Sequence, residues 1–172
     1  MINSMKRVAI IGSPGTGKST FAKQIAEKID LPLIHLDFYY HDKKHNYYTN
    51  KKAWRAKADS LAEYDRWIID GNFGATMEKR LERADTIFYF DMPTYIALKG
   101  IIRRWLVTDK AGRSEMPGNW QEKPSFSLFW KVLWFRHNYA SSTQQLLTRN
   151  NTKTIIIFKS HKQIATYLNH YE

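Results

Sequence analysis

Gly12-Ser13-Pro14-Gly15-Thr16-Gly17-Lys18-Ser19-Thr20 is the stretch on which the reading of the fold turns. It matches G-x-x-x-x-G-K-[ST] and follows Arg7-Val8-Ala9-Ile10-Ile11, a short apolar run of the kind that makes a buried parallel strand. It leads into Phe21-Ala22-Lys23-Gln24-Ile25-Ala26-Glu27-Lys28-Ile29, whose Phe21, Ile25, Ala26 and Ile29 share one helical face. Strand, glycine loop and helix in that order predict a phosphate-binding loop.

The residue types follow from the chemistry of a polyphosphate. Several N–H donors must converge on it, and glycines let the backbone close around it with no side chain in the way. The helix expected from Lys18 adds its unpaired N-terminal N–H groups and the positive end of its dipole. Gly12, Pro14, Gly15, Thr16, Gly17, Lys18, Ser19 and Thr20 are therefore the candidate ATP-binding residues. Lys18 is placed on the β and γ phosphates and the Ser19 hydroxyl on Mg²⁺. A plain glycine turn would need neither Lys18 nor Ser19.

A chain of 172 residues with 43% hydrophobic content is expected to be one domain over 1–172, burying roughly 70% of its unfolded surface. There is no cysteine, which excludes disulfides and thiolate metal sites. No run approaches the ~20 apolar residues of a membrane span, and Met1 to Lys6 lack the apolar centre of a signal peptide, so a cytoplasmic protein is expected. The net charge of +11 favours anionic partners: nucleotides, nucleic acid or a membrane surface. No block of five or six basic residues occurs, so the excess is not a basic tail.

Further along, Leu31-Pro32-Leu33-Ile34-His35-Leu36-Asp37 reads as a second short strand ending in a carboxylate. Parallel α/β sheets carry their chemistry at the carboxyl ends of strands, which makes Asp37 either a site residue or the cap of a turn. Phe38 to Tyr48 is polar, aromatic and aperiodic, and reads as a loop; the acceptor-side insert is expected over about 38–65. His35, His41 and His45 lack partners at helical metal-ligand spacing. From Thr49, an expected N-cap, a helix would show Ala53, Trp54, Lys57, Leu61 and Tyr64 on a broken apolar face, with Arg55 off that face toward a substrate anion or solvent.

Trp67-Ile68-Ile69-Asp70-Gly71-Asn72 is the third strand. A carboxylate at the end of a strand beside the phosphate loop orders Mg²⁺, so Asp70 joins Ser19 as a metal candidate. Gly71 permits close approach of a ligand and is placed with Asn72 on the substrate side. A helix over Gly74 to Glu82, a strand over Thr86 to Phe90 and a helix through Val107 follow, the last packing on Ile96, Leu98, Ile101, Trp105 and Leu106. Residues 108–124 hold two glycines and two prolines without periodicity and are expected to be a lid, with Arg103 and Arg113 delivering guanidinium groups to the transferring phosphate. Ser125 to Arg149 reads as one long helix packed through Phe126, Phe129, Trp130, Leu133 and Trp134, with Arg136 facing the cleft. Lys153 to Phe158 is the fifth strand, and Ser160-His161-Lys162-Gln163 opens the last helix. Five alternations of strand and helix predict an α/β fold with a parallel sheet covered on both faces.

Gly12 to Ser19, Asp70-Gly71, Phe90-Asp91-Met92-Pro93 and Arg103-Arg104 together resemble the nucleoside-monophosphate kinases, adenylate kinase among them. His35-Leu36-Asp37, Trp54-Arg55, Asp65 to Phe73, Arg80 to Ile87 and Arg113-Ser114-Glu115-Met116 look like the adenylate-kinase-related family named "DNA topology modulation protein". The resemblance covers nearly the whole chain. It implies a three-layer P-loop fold with five strands in the order 2-3-1-4-5, ATP with Mg²⁺, and a lid. It also implies phosphate binding by Lys18, metal binding by Ser19 and Asp70, and stabilisation of the transferring group by Arg103 and Arg113. Gly74 stands where adenylate kinases carry an acceptor-binding arginine, with Arg80 or Arg55 as nearby substitutes, and Lys99 stands for an arginine in a position to stack on adenine. Both departures weigh against AMP.

The expected activity is phosphoryl transfer from ATP to a small-molecule acceptor, with Asp37 orienting or deprotonating an acceptor hydroxyl. The rival is a nucleotide-binding regulatory protein touching DNA through the basic, tryptophan-rich region from Lys99 to Arg136. ATP hydrolysis driving an interaction is a third reading.

Overall fold

The computed structural model describes residues 5–42, 44, 45, 47–107 and 125–170. Strands β1 (Arg7–Gly12), β2 (Leu33–His35), β3 (Trp67–Asp70), β4 (Thr86–Phe90) and β5 (Thr154–Phe158) form one parallel sheet in the order β2-β3-β1-β4-β5. The helices are α1 (Lys18–Ile29), α2 (Leu36–Tyr40), α3 (Lys51–Ala62), α4 (Gly74–Arg83), α5 (Thr94–Val107), α6 (Phe126–Leu133), α7 (Phe135–Arg149) and α8 (His161–Asn169). The expected sheet order is the observed one, and the architecture is the expected three-layer α/β fold with a P-loop after β1.

The two-residue period of a strand divides the core. Ala9 and Ile11 point to one face, where they meet Trp54, Leu61, Met77, Leu81 and Leu147 from α3, α4 and α7. Val8 and Ile10 point to the other, against Phe21 and Ile25 of α1 and Ile164 and Leu168 of α8. Burial on both faces is why β1, β3 and β4 read as continuous apolar runs. Phe21 anchors the second face with edge-on rings at 4.8 Å from Phe88, 5.5 Å from Phe90 and 5.3 Å from Phe158. The β1–β3 and β1–β4 pairings set the end of β1 beside the ends of its two neighbours, and it is there that the glycine loop emerges.

Several local expectations change. The second strand ends at His35, and Leu36 to Tyr40 turn at once into α2, so Asp37 sits in the first turn of a short helix and not at a strand end. The cap of α3 is Asn50, whose Oδ1 accepts from the Ala53 N–H at 2.9 Å, and not Thr49. The long helix over 125–149 is two helices meeting at Trp134, the C-cap of α6 and the N-cap of α7. On α6 the buried side chain is Val132; Phe126, Trp130, Leu133 and Trp134 are exposed, as are Tyr64 and Leu106. The expected lid over 108–124, with Arg113, lies outside the described residues.

Candidate functional site

Gly17 closes the loop in a left-handed conformation at φ 91° and serves as the N-cap of α1 with no side chain capping the helix. The first-turn N–H groups of α1 therefore open toward the loop, an arrangement suited to phosphate oxygens. The loop organises itself around the Ser13 carbonyl, which accepts from the Thr16 hydroxyl at 2.7 Å and from the Lys18 ammonium at 2.8 Å. Lys18 thus already spans the cradle it is expected to serve.

Ser19 Oγ donates to Asp70 Oδ2 at 2.6 Å, bringing together two oxygens 51 residues apart in sequence. The same carboxylate oxygen lies 3.0 Å from His35 Nδ1, where β2 and β3 pair His35 with Asp70. Asp70 is 6% exposed, so His35 holds the carboxylate in one orientation within a largely dry setting. A hydroxyl and a carboxylate are hard oxygen donors and suit Mg²⁺, which completes its shell with phosphate oxygens and water. Among the described residues no group of three or more His, Cys, Asp or Glu gathers into a self-sufficient metal cage. The Ser19–Asp70 pair therefore fits a metal that arrives with a nucleotide.

Neighbouring elements grip the loop. Asn72 gives both ends of its carboxamide to Gly12: Oδ1 accepts from the Gly12 N–H at 2.9 Å and Nδ2 donates to the Gly12 carbonyl at 2.7 Å. Arg80, fully buried, donates to the carbonyls of Gly71 at 2.8 Å and of Asn72, and through Nε to that of Thr76 at 3.3 Å. Burial pushes its guanidinium down to about 10, against the favourable fields of Asp70 and Asp59, and it stays charged at neutral pH. Gly71 is at φ 141°, and a Cβ there would meet Leu36 Cβ at 3.0 Å, so packing against α2 requires the glycine. Gly71 and Asn72, expected on the substrate side, instead build the joint between β3 and the loop. Arg80, a suggested acceptor ligand, is committed to that joint.

Beyond Asn72 the chain passes through Phe73, a non-glycine residue at φ 39°, into α4. Phe73 walls a cleft of about 480 Å³, lined by Tyr40, Trp54, Gly74, Ala75 and Thr76 and by the cations Lys51, Lys52 and Arg55. Phe73 directly follows Asn72, which is bonded to Gly12, so one chain step links the cleft lining to the start of the phosphate loop. Arg55, expected toward a substrate anion or solvent, lines this cleft and is exposed. Arg103 is exposed on α5. Arg136 falls in α7, with its side chain outside the described set. The sequence reading missed the His35–Asp70 contact, Lys51 and Lys52, and Gly100, on which a Cβ would fall 1.9 Å from the Gly15 carbonyl oxygen. For Gly100 a signal existed, since an isolated glycine inside a helical pattern marks a close approach.

Residues 8–66 match the model of the ATPase family associated with various cellular activities (AAA). A tRNA dimethylallyltransferase from Mycoplasmoides gallisepticum is 29% identical over 91 residues, which is 49% of this chain; the chain spans only 29% of that relative's length. Among solved structures, the shikimate kinase of Bacteroides thetaiotaomicron superposes with a TM-score of 0.61 at 19% identity, covering 97% of this chain and 96% of its own. A deoxyadenosine kinase from M. mycoides gives 0.56 at 18% identity over 95% and 97% of the two chains. A gluconokinase from Sinorhizobium meliloti gives 0.55 at 13% identity over 96% and 89%. At such identities the likeness establishes the fold. Among the described residues no helix is long and apolar enough to cross a membrane.

Proposed function

We propose that the chain is an ATP- and Mg²⁺-dependent phosphotransferase whose small-molecule acceptor occupies the cleft beside Phe73. The observation that carries this reading is the Ser19–Asp70 pair beside Lys18 at the glycine loop, with a cleft large enough for a metabolite whose lining residue Phe73 directly follows Asn72, the residue bonded to Gly12. Structures sharing this fold include kinases of shikimate, gluconate and deoxyadenosine, which agrees with it.

In this reading the loop amides and the α1 N-terminus bind the phosphates, and Lys18 exchanges the Ser13 carbonyl for the β and γ oxygens. Ser19 and Asp70 hold Mg²⁺, with His35 fixing the carboxylate. When bound, the metal neutralises phosphate charge and orients the transferring group. Asp37 orients or deprotonates an acceptor hydroxyl, and Arg103 with Arg113 neutralises charge on the transferring phosphoryl. The adenylate-kinase-related family named "DNA topology modulation protein" is a finer reading that rests on the sequence motifs.

Calorimetry of Mg-ATP binding to the wild type and to Lys18→Ala tests the proposal, together with acceptor-dependent ADP formation. Lys18→Ala should weaken ATP by about 100-fold and abolish turnover without lowering the melting temperature. Wild-type protein that takes up no ATP refutes the proposal. The DNA-contacting alternative gains one observation, that Trp130 is 54% and Trp134 50% exposed, flanking Lys131 and Leu133 on one stretch. DNA binding with a steep salt dependence that survives Lys18→Ala would favour it.

A further inference from the structure

We propose that His161 is a positioning residue for ATP: it holds the Thr16 carbonyl and thereby aims the Gly17 N–H at the phosphates. The proposal rests on the phosphotransferase reading of the glycine loop and adds to that loop a residue from the last helix.

The contact joins residues 145 apart in sequence. His161 Nε2 lies 3.2 Å from the Thr16 carbonyl oxygen, and a Cβ on Gly17 would fall 3.8 Å from the same nitrogen. A carbonyl only accepts, so Nε2 donates, a role open to both the neutral Nε2–H tautomer and the imidazolium. Packing brings the partners together: Ile164 and Leu168 of α8 share a core with Phe21 and Ile25 of α1, and the bond links the first residue of α8 to the residue two before α1. The turn that presents the ring is braced as well. Ser160 Oγ accepts from the Gln163 N–H at 3.3 Å, and Gln163 Oε1 accepts from the Lys159 N–H at 2.7 Å.

Backbone geometry explains what the bond does. In a trans peptide the C=O and N–H point in opposite directions, and no described peptide bond is cis, so the direction of the Thr16 carbonyl sets that of the Gly17 N–H. Glycine takes φ of either sign at little cost, and Gly17 stands at φ 91°. The Thr16–Gly17 peptide is therefore the plane of the loop most easily turned over. Its neighbours do not prevent this. The Thr16 hydroxyl is tied to the Ser13 carbonyl at 2.7 Å, which holds the side chain and leaves the next peptide to rotate; the Phe21 N–H holds the Gly17 carbonyl at 3.0 Å, which belongs to the peptide after it. Asn72 grips Gly12 and α5 abuts Gly15, both earlier in the loop. His161 fastens the Thr16–Gly17 plane on its carbonyl side and leaves the N–H side for a phosphate oxygen.

The test compares the full chain with its His161→Ala, His161→Asn and His161→Gln variants. A glutamine carboxamide nitrogen reaches about as far as Nε2 and that of asparagine only as far as Nδ1, so glutamine can replace the bond and asparagine cannot. His161 is exposed, and all variants should melt within about two degrees of the wild type. Calorimetry should give a Kd for Mg-ATP about fivefold higher in the Ala and Asn variants and within about twofold of wild type in the Gln variant. The Kd of magnesium tripolyphosphate, which has the phosphates and no base, should rise by the same factor when measured by competition with ATP. In the ATP-free protein, the Gly17 amide signal in a proton–nitrogen NMR spectrum should shift in the Ala and Asn variants and return in the Gln variant. Should the Ala variant fail to fold, the Asn and Gln pair decides. An unchanged Kd, an unmoved Gly17 amide, or a Gln variant as weak as Asn overturns the proposal. So does a loss confined to ATP and absent for tripolyphosphate, because His161 would then touch the nucleoside. A wild type that binds ATP but not tripolyphosphate removes the premise that loop amides carry the binding, and a wild type that binds neither refutes the phosphotransferase reading itself; both overturn the proposal.

Discussion

Gly100→Ala should disable the phosphate loop while leaving the fold standing. Gly100 lies in the middle of α5, and a Cβ there would sit 1.9 Å from the Gly15 carbonyl oxygen and 2.9 Å from its carbon. The reverse view agrees: a Cβ on Gly15 would meet the Ala97 carbonyl oxygen at 2.3 Å and Ile101 Cγ1 at 2.9 Å. Backbone rests on backbone, and neither side has a flexible end to move aside. Restoring even a 3.0 Å contact separates α5 from the loop by about 1.1 Å. Overpacking of this kind costs about 1–3 kcal/mol, and the better helix propensity of alanine returns up to about 1, so the melting temperature should fall by only a few degrees. The loop amides, however, must meet phosphate oxygens, and a displacement of about 1 Å costs on the order of 100-fold in rate. Calorimetry with Mg-ATP should show at least tenfold weaker binding, and the thermal shift ATP gives the wild type should largely vanish. Gly74→Ala is the control: a Cβ there meets nothing within 4 Å, and ATP binding should be unaffected. A cooperatively folded Gly100→Ala protein that binds ATP with wild-type affinity would refute the idea that α5 sets the position of the loop.

Arg80→Met removes the donors from the carbonyls of Gly71, Asn72 and Thr76 and should cost about 2–4 kcal/mol in urea unfolding, with Phe73 released from its left-handed conformation. The joint between α3 and α4 carries a pH dependence. Glu63 is held below its ordinary value of 4.5, first by the hydrogen bond from Lys79 at 2.7 Å and then by the fields of Arg83 and Lys79. A depressed carboxyl stabilises the fold above pH 4.5 and loses that contribution as pH falls through the lowered folded value. Glu63→Gln should therefore lower stability slightly at neutral pH, because the pair is exposed, and converge with the wild type once pH falls below the lowered folded value, which flattens the acid limb; an equally steep acid limb in the variant rules the pair out as its cause.

Much of the candidate site was legible because its parts are contiguous: Gly12 to Ser19 supplies backbone, ammonium and hydroxyl within one strand-to-helix turn. Asp70 was legible by its place at the end of an apolar run. What escaped is what comes from afar. Asn72 reaches Gly12 across 60 residues, and Gly100 meets Gly15 across a helix face. Neither pairing has a local pattern, because the sheet order that creates the proximity is a property of the whole chain. Asp37 was misplaced for a local reason: three residues suffice for β2, an edge strand paired only to β3, so α2 starts earlier than the apolar run suggests. The tryptophans of the 125–149 region were assigned to a core on helical spacing. Spacing says which residues share a face, but not whether anything covers it.

The net charge of +11 also changes meaning once its cations are located. Arg80 is sealed inside the β3–α4 joint. Arg66 donates to the Asp30 carbonyl, Arg83 to the Ala62 carbonyl and Lys153 to those of Glu82 and Ala84, where burial pushes the Lys153 ammonium below its ordinary value. These groups satisfy backbone oxygens at turns and helix ends, work that no polyanion need share. Lys18 is committed to the phosphate loop. Lys51, Lys52 and Arg55, by contrast, gather around one cleft. A basic isoelectric point therefore contains, among the described residues, cations whose work is to hold the chain to itself, and these say nothing of a polyanionic partner.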